Sequence, residues 1–288
     1  MVHVRTAVLT DRGGAPVLDL SDGRRGSAAD WIVEDVAGWY GGAGVRGEKV
    51  DRLQHGSHVA RAWRDSRAMT IHGTVLCRNS DIRDHEERRL SGVLWDGLFG
   101  ELSCDDGDAI LASNVRLDAA PQIVKVGTTA LRFQVPLIAD DPFLYAPEQV
   151  TFLHPVGTGI GLEYPLFHRD LGKGPVLTFG TGIAADDPIR NAGNAEAWPV
   201  FLVVGDFPGG FEITVGGRTI TWPWPTTKAR PVEVRMDGAI FEAGSNMTHR
   251  ATRRDWVSIP PGGVISPEFS ALQGGEGWCE VHHRNTFI

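Results

Sequence analysis

Hydrophobic and polar positions alternate in short runs along most of this chain, and a period of two predicts strands rather than helices. The segments VHVRTAVL (2–9), WIVEDVAGW (31–39) and AMTIHGTVLC (68–77) are apolar or β-branched pieces bounded by turn residues. One stretch follows a helical period instead. Asn79, Ser80 and Asp81 offer capping oxygens, and Ile82, Leu90, Val93, Leu94 and Leu98 then fall mostly on one face of a helix near 80–98. Asp84 and Arg88 stand four apart in the favourable order on its outer face. Gly92 and Gly97 weaken it, so it needs a sheet to pack against.

Beyond the helix, GELSCDDGDAILAS (100–113) carries an Asp-Gly hairpin signal at 106–107, and QIVKVGTTALRFQVPLIAD (122–140) holds two runs broken at Gly127. The strand pattern stops at DDPFLYAPEQV (140–150), where two prolines and two adjacent acids mark a domain edge. The expected domains are therefore 1–146 and 147–288. The second half has no helical stretch. FEITV and RTITW form a hairpin turned by Gly216-Gly217, and VEVRMDGAIFEAG (232–244) repeats the arrangement around Asp237-Gly238. WVSIPPGGVISPEF (256–269) reads as a short strand, a Pro-Pro-Gly-Gly corner and a second strand, and GWCEVHHRNTFI (277–288) alternates. Short strands at this spacing predict an antiparallel β-sandwich, and the whole chain reads as mainly β.

NAGNAEAWPVFLVVG (191–205) opens one sheet of that sandwich. Asn191 and Asn194 can hold a turn by bonding the backbone, Gly193 permits positive φ, and Pro199 is tolerated at a strand's start. VFLVV has the continuous apolar character of a strand covered on both faces.

Composition narrows the class. The chain has 288 residues, enough for two domains with their own cores, and 36 Gly and 17 Pro favour many turns. A formal net charge of −8 opposes nucleic-acid recognition, whose footprint is basic and clustered. Cys77, Cys104 and Cys279 are odd in number and widely spaced, so they read as buried free thiols rather than as disulfides or a metal pair. MVHVRTAVLTDRGG resembles no secretory leader and no window is long and apolar enough to span a membrane, so folding in a cytoplasm without membrane insertion is expected.

The search for chemistry nominates no catalytic, cofactor-binding or metal residue. His282 and His283 are adjacent and point to opposite faces of a strand, and His154 and His168 lack partners. Asp105-Asp106, Asp140-Asp141 and Asp186-Asp187 lie in turns, where Asp bonds the backbone for reasons unconnected with acid–base work. The DDGD stretch (105–108) misses full calcium-loop spacing and reads as a hairpin tip, and GGAGVRG (41–47) reads as a loop rather than a phosphate cradle. Nine Trp are the one enrichment that points toward sugars, with Trp222 and Trp224 flanking a proline as a stacking platform, although most Trp pack in cores or interfaces.

Three stretches coincide in order: LRFQVPLIADDPFLY (131–145); GLEYPLFHRDLGKG (161–174); and Asn191, Gly193, Asn194, Trp198 and Pro199 followed by hairpins and RRDWVSIPPGGVI (253–265). On these the chain resembles the distal tail proteins of siphovirus-type phages, a phage tail component or minor tail protein family. The resemblance implies an N-terminal β-rich belt domain with a packed helix that forms a hexameric ring, and a C-terminal galectin-like sandwich outside it. It implies a structural virion protein at the tail tip, made and assembled in the bacterial host cytoplasm, with no enzymatic activity and no cofactor. The implied partners are copies of itself, the tail tube protein, and tail-tip and tape-measure proteins. A carbohydrate-binding sandwich aiding host adhesion, or less readily a glycan hydrolase, are the competing expectations.

Overall fold

A computed structural model describes residues 4–20, 28–47, 49–51, 55, 57–59, 62–155, 167–170, 173–177 and 188–288. The protein is mainly β, with antiparallel sheets, and divides into two compact units, Met1–Pro147 with Phe287–Ile288, and Glu148–Thr286.

The first unit contains β1 (Thr6–Thr10), β2 (Pro16–Leu20), β3 (Ala29–Ala37), β4 (Ala43–Arg46), β5 (Lys49–Asp51), β6 (Ser57–Val59) and β7 (Trp63–Cys77). After them come α1 (Ser80–Ser91), β8 (Gly100–Asp105), β9 (Ile110–Leu117), β10 (Gln122–Val126), β11 (Ala130–Ala139) and β12 (Leu144–Tyr145). One sheet runs β2-β1-β8-β9-β11-β7-β3 and curls around a single core, with β10 added beside β11 and β4 beside β7. The longest register, ten pairs from Ala130↔Leu76 to Ala139↔Arg67, joins β11 to β7. Strict alternation sends Ile71 and Val75 of β7 and Phe133 and Val135 of β11 inward. Gly73 faces Phe133 in that register, and a Cβ there would meet the ring at 2.5 Å. The missing side chain makes room for the aromatic one.

Helix α1 starts where Asn79 Oδ1 accepts the amide of Ile82 at 2.8 Å, the cap expected from sequence. It ends at Ser91, seven residues short of the expected 98. Gly92 caps it, Leu94 turns with φ 46°, and Val93 and Leu94 are buried from this turn rather than from a helical face. Asp84 also departs from expectation: it bonds Arg83 at 2.8 Å and Lys125 of β10 at 3.4 Å. That ties the helix to the sheet instead of stapling one helical turn to the next.

The second unit contains β13 (Gln149–Leu153), β14 (Phe167–Asp170), β15 (Lys173–Leu177), β16 (Ile189–Arg190), β17 (Val200–Asp206), β18 (Phe211–Val215) and β19 (Arg218–Trp222). It continues with β20 (Val232–Arg235), β21 (Ala239–Glu242), β22 (Ser245–Asn246), β23 (Arg253–Arg254), β24 (Val264–Ile265), β25 (Pro267–Ala271) and β26 (Glu276–His283). A six-stranded sheet, β13-β26-β17-β20-β21-β22, and a four-stranded sheet, β23-β19-β18-β25, share one hydrophobic core. Phe201 and Val234 enter from the first sheet, Phe211, Ile213 and Phe269 from the second, so the unit is a β-sandwich. Phe269 meets Phe207 edge-on at 5.4 Å, each ring contributing roughly 1.5–3 kcal/mol by burial.

The two expected hairpins form as β18–β19 and β20–β21. Their turns use glycines at positive φ, Gly216 (55°) and Gly217 (81°) in one and Gly238 (123°) in the other. WVSI (256–259) is not a strand; Ile259 makes one isolated bridge to Ala197. Gly193 is required for a reason other than φ, because a Cβ there would meet the Thr286 carbonyl oxygen at 1.9 Å. Asn191 does hold the turn and is itself buried, its Nδ2 donating to the Ala195 carbonyl at 2.7 Å and its Oδ1 accepting from the Gly193 and Thr286 amides at 3.0 and 3.2 Å. VFLVV is covered on one face only: Phe201 and Val203 are buried, while Val200, Leu202 and Val204 are half-buried on the outer side of the six-stranded sheet.

Candidate functional site

The described aspartates singled out by sequence bond backbone amides or neighbouring side chains. Asp106 closes the β8–β9 hairpin, its Oδ1 accepting the amides of Asp108 and Ala109 at 2.9 Å and its Oδ2 accepting the Tyr40 hydroxyl at 2.6 Å. The Tyr40 bond is the main reason its carboxyl is held below the usual range. Burial first, then that bond, pushes the Tyr40 phenol up to about 12. Asp105 Oδ1 takes the Gly107 amide at 2.7 Å. Asp141 does similar work between β11 and β12, accepting from the Phe143 amide at 3.0 Å and the Tyr145 hydroxyl at 2.6 Å, while Asp140 faces Arg116 at 3.3 Å. Asp105, Asp106 and Asp141 thus orient backbone, and Asp186-Asp187 lie outside the described residues.

Cys77, Cys104 and Cys279 are free and buried, and burial pushes the first two thiols up. His282 and His283 face opposite sides of β26: His283 is buried, which lowers its pKa, while His282 lies on the outer face. His154 is exposed, and the side chain of His168 lies outside the described residues. Among the described residues no group of three or more His, Cys, Asp or Glu is arranged to hold a metal ion. Of GGAGVRG, Ala43–Arg46 form β4 rather than a loop. The Trp222–Trp224 platform does not exist. Trp222 is fully buried beneath the four-stranded sheet's inner face, and Trp224 donates Nε1 to the Arg250 carbonyl at 3.0 Å beneath a stacked guanidinium.

What the first unit offers instead is uncovered apolar surface of three kinds. The outward positions of the sheet line up across β10, β11 and β7 as Val126, Ala130 and Leu76, and one row on as Val124, Arg132 and Thr74, reaching Ile32 of β3. Val124 is 59% exposed and Leu76 47%. Among the described residues strand β10 pairs only with β11, so its other edge presents backbone groups able to pair. Second, β7 runs past β3 and pairs Trp63–Arg67 with β4, and the backbone pairing continues as β5–β6. Val45 and Trp63 are exposed on this two-stranded arm. Third, the turn after α1 presents Trp95 at 85% exposure beside Leu98 and Phe99. A large aromatic ring left in water on a turn pinned by the buried Val93 and Leu94 is the residue type that anchors protein interfaces.

No protein-family model matches the sequence, and no curated protein is significantly similar to it. Solved structures are similar in fold. The Dit protein of phage SPP1, described as a paradigm of the hub adsorption apparatus in phages infecting Gram-positive bacteria, superposes with a TM-score of 0.62 at 14% identity, covering 98% of this chain and 99% of that one. A chain of the phage P2 baseplate in its activated conformation with Ca gives a TM-score of 0.49 at 8% identity, covering 97% and 98%. The chain therefore shares the Dit fold along nearly its whole length.

Proposed function

We propose that this protein is a structural component of a phage tail, which joins copies of itself into a closed ring at the distal end of the tail. The observation that carries this reading is the match to the SPP1 hub protein across both units at once, 98% of one chain on 99% of the other. A shared sandwich alone would say little about function. A two-unit chain reproduced end to end constrains it much further.

The surface chemistry supports the same reading. A ring needs two different, complementary surfaces on each protomer, joined head to tail until they close. The open sheet face, the β4–β7 arm and the Trp95 turn supply apolar area that a solitary chain leaves in water. In this reading the first unit is the belt and the second a galectin-like sandwich. Six copies close the ring, and the assembly joins the tail tube to tail-tip and tape-measure proteins. It works in the virion, after synthesis in the bacterial host cytoplasm, and catalyses nothing.

Electron microscopy of the purified chain tests it. Closed annuli of uniform diameter are expected; a field of single, unassembled chains would refute the reading.

A further inference from the structure

The outer face of the six-stranded sheet in the second unit carries a depression of about 270 Å³, lined by Glu148, Val200, Leu202, Glu233 and His282. Its floor is apolar and its rim polar. Val200 and Leu202 supply the floor because β17 is covered on one side only. The rim groups are held by neighbours before any ligand arrives: Glu233 pairs with Arg235 at 2.5 Å, and Glu148 lies 3.5 Å from Arg284 and 3.3 Å from His282 Nδ1. Glu280 accepts the Trp278 indole at 2.8 Å. Its other oxygen is 3.4 Å from His282 Nε2, close enough for an ion pair once the ring is protonated but without hydrogen-bond geometry.

One cross-strand row passes through the depression. Phe152 lies opposite Glu280, Glu280 opposite Leu202, Leu202 opposite Glu233, and Glu233 opposite Phe241. Four interstrand steps of about 4.8 Å make the row roughly 19 Å long, with an aromatic ring at each end. Phe152 is 54% exposed, and Arg235 covers part of Phe241 at 4.7 Å.

We propose that this face binds a neutral sugar, one ring seated in the depression and a short oligosaccharide lying along the row. A pyranose has an apolar C–H face and an equator of hydroxyls, which matches an apolar floor ringed by carboxylates and an imidazole. The volume falls just under the about 300 Å³ where sites for drug-sized ligands begin, suiting a single ring open to further units. Pre-set rim groups lower the ordering cost of binding. Other occupants fit worse. A basic peptide would find Glu148 and Glu233 already paired with arginines. An apolar protein surface would bury those ion pairs at a desolvation cost.

The proposal is independent of ring assembly and of the Trp222–Trp224 pair. Saturation-transfer NMR on the full chain with galactose, glucose, N-acetylglucosamine and their β-linked disaccharides tests it. At least one sugar receives saturation, strongest at its ring C–H protons. Glu233→Gln and His282→Ala each weaken binding about tenfold or more, equivalent to about 1.4 kcal/mol. Phe152→Ala, an exposed change that leaves the fold intact, weakens the disaccharide more than the monosaccharide, and Trp224→Ala changes neither. Silence across the whole panel, or binding that survives Glu233→Gln and His282→Ala undiminished, overturns the proposal.

Discussion

The guanidinium of Arg67, fully buried on the inner side of β7, donates to the backbone carbonyl of Trp39. It also reaches the carbonyls of Gly38 at 3.3 Å and Pro142 at 2.8 Å, so one side chain satisfies oxygens from two turns far apart in sequence. Arg67→Met keeps much of the volume and leaves those three acceptors without a donor. A loss of roughly 2–4 kcal/mol in urea unfolding is expected. Arg67→Lys does not restore it, because one ammonium cannot reproduce the planar fork.

Asn191 plays the matching role in the second unit, with both ends of its amide engaged. Asn191→Asp places a carboxylate against the carbonyls of Ala195 and Ile259 and removes the donors that served them. It should cost more than Asn191→Ala, itself expected at about 1–3 kcal/mol in the same measurement. Gly193→Ala is also destabilising, since its Cβ meets backbone that cannot withdraw without opening the turn.

The Tyr40–Asp106 bond has two pH windows. Tyr40 holds its proton more tightly folded than unfolded, so its contribution is full below the unfolded value of 10.0 and is lost as pH rises from there through about 12. Asp106 is shifted down, so its contribution is present above 3.8 and is lost as pH falls through its lower folded value. An NMR titration of ring-labelled tyrosine should show Tyr40 ionising well above 10.0, at about 12. Asp106→Asn lowers that midpoint and leaves the part due to burial; an unmoved midpoint would contradict the pairing.

The hairpins and the start of α1 were legible because local chemistry decides them: Asn79 caps, and Gly216-Gly217 and Gly238 accept positive φ whatever surrounds them. The end of α1 was not, since Val93 and Leu94 keep the apolar spacing of a helix while burying themselves from a turn that leads into β8. VFLVV misled for a related reason. A continuous apolar run predicts two covered faces, yet Val200 and Leu202 of this one floor the open depression beside His282. Trp222 and Trp224 look alike in sequence, and only the packing of β19 puts the first in the core and the second at the surface. The exposed apolar positions left no motif at all, because exposure of Leu76, Val124 or Trp95 is a property of the folded chain and not of its local sequence.

Those exposed positions supply the assembly prediction. Leu76→Asp and Val124→Asp place charge on the open sheet face and change monomer stability by only about 0.5 kcal/mol, since neither side chain is in the core. Combined, they should prevent association while the circular-dichroism spectrum and melting curve stay those of the parent chain.

Light scattering coupled to size-exclusion chromatography tests the central claim most directly. The unmodified chain should elute as a single species of six times the chain mass, and the Leu76→Asp/Val124→Asp variant as a folded monomer. A parent chain that stays monomeric at every concentration would contradict the ring.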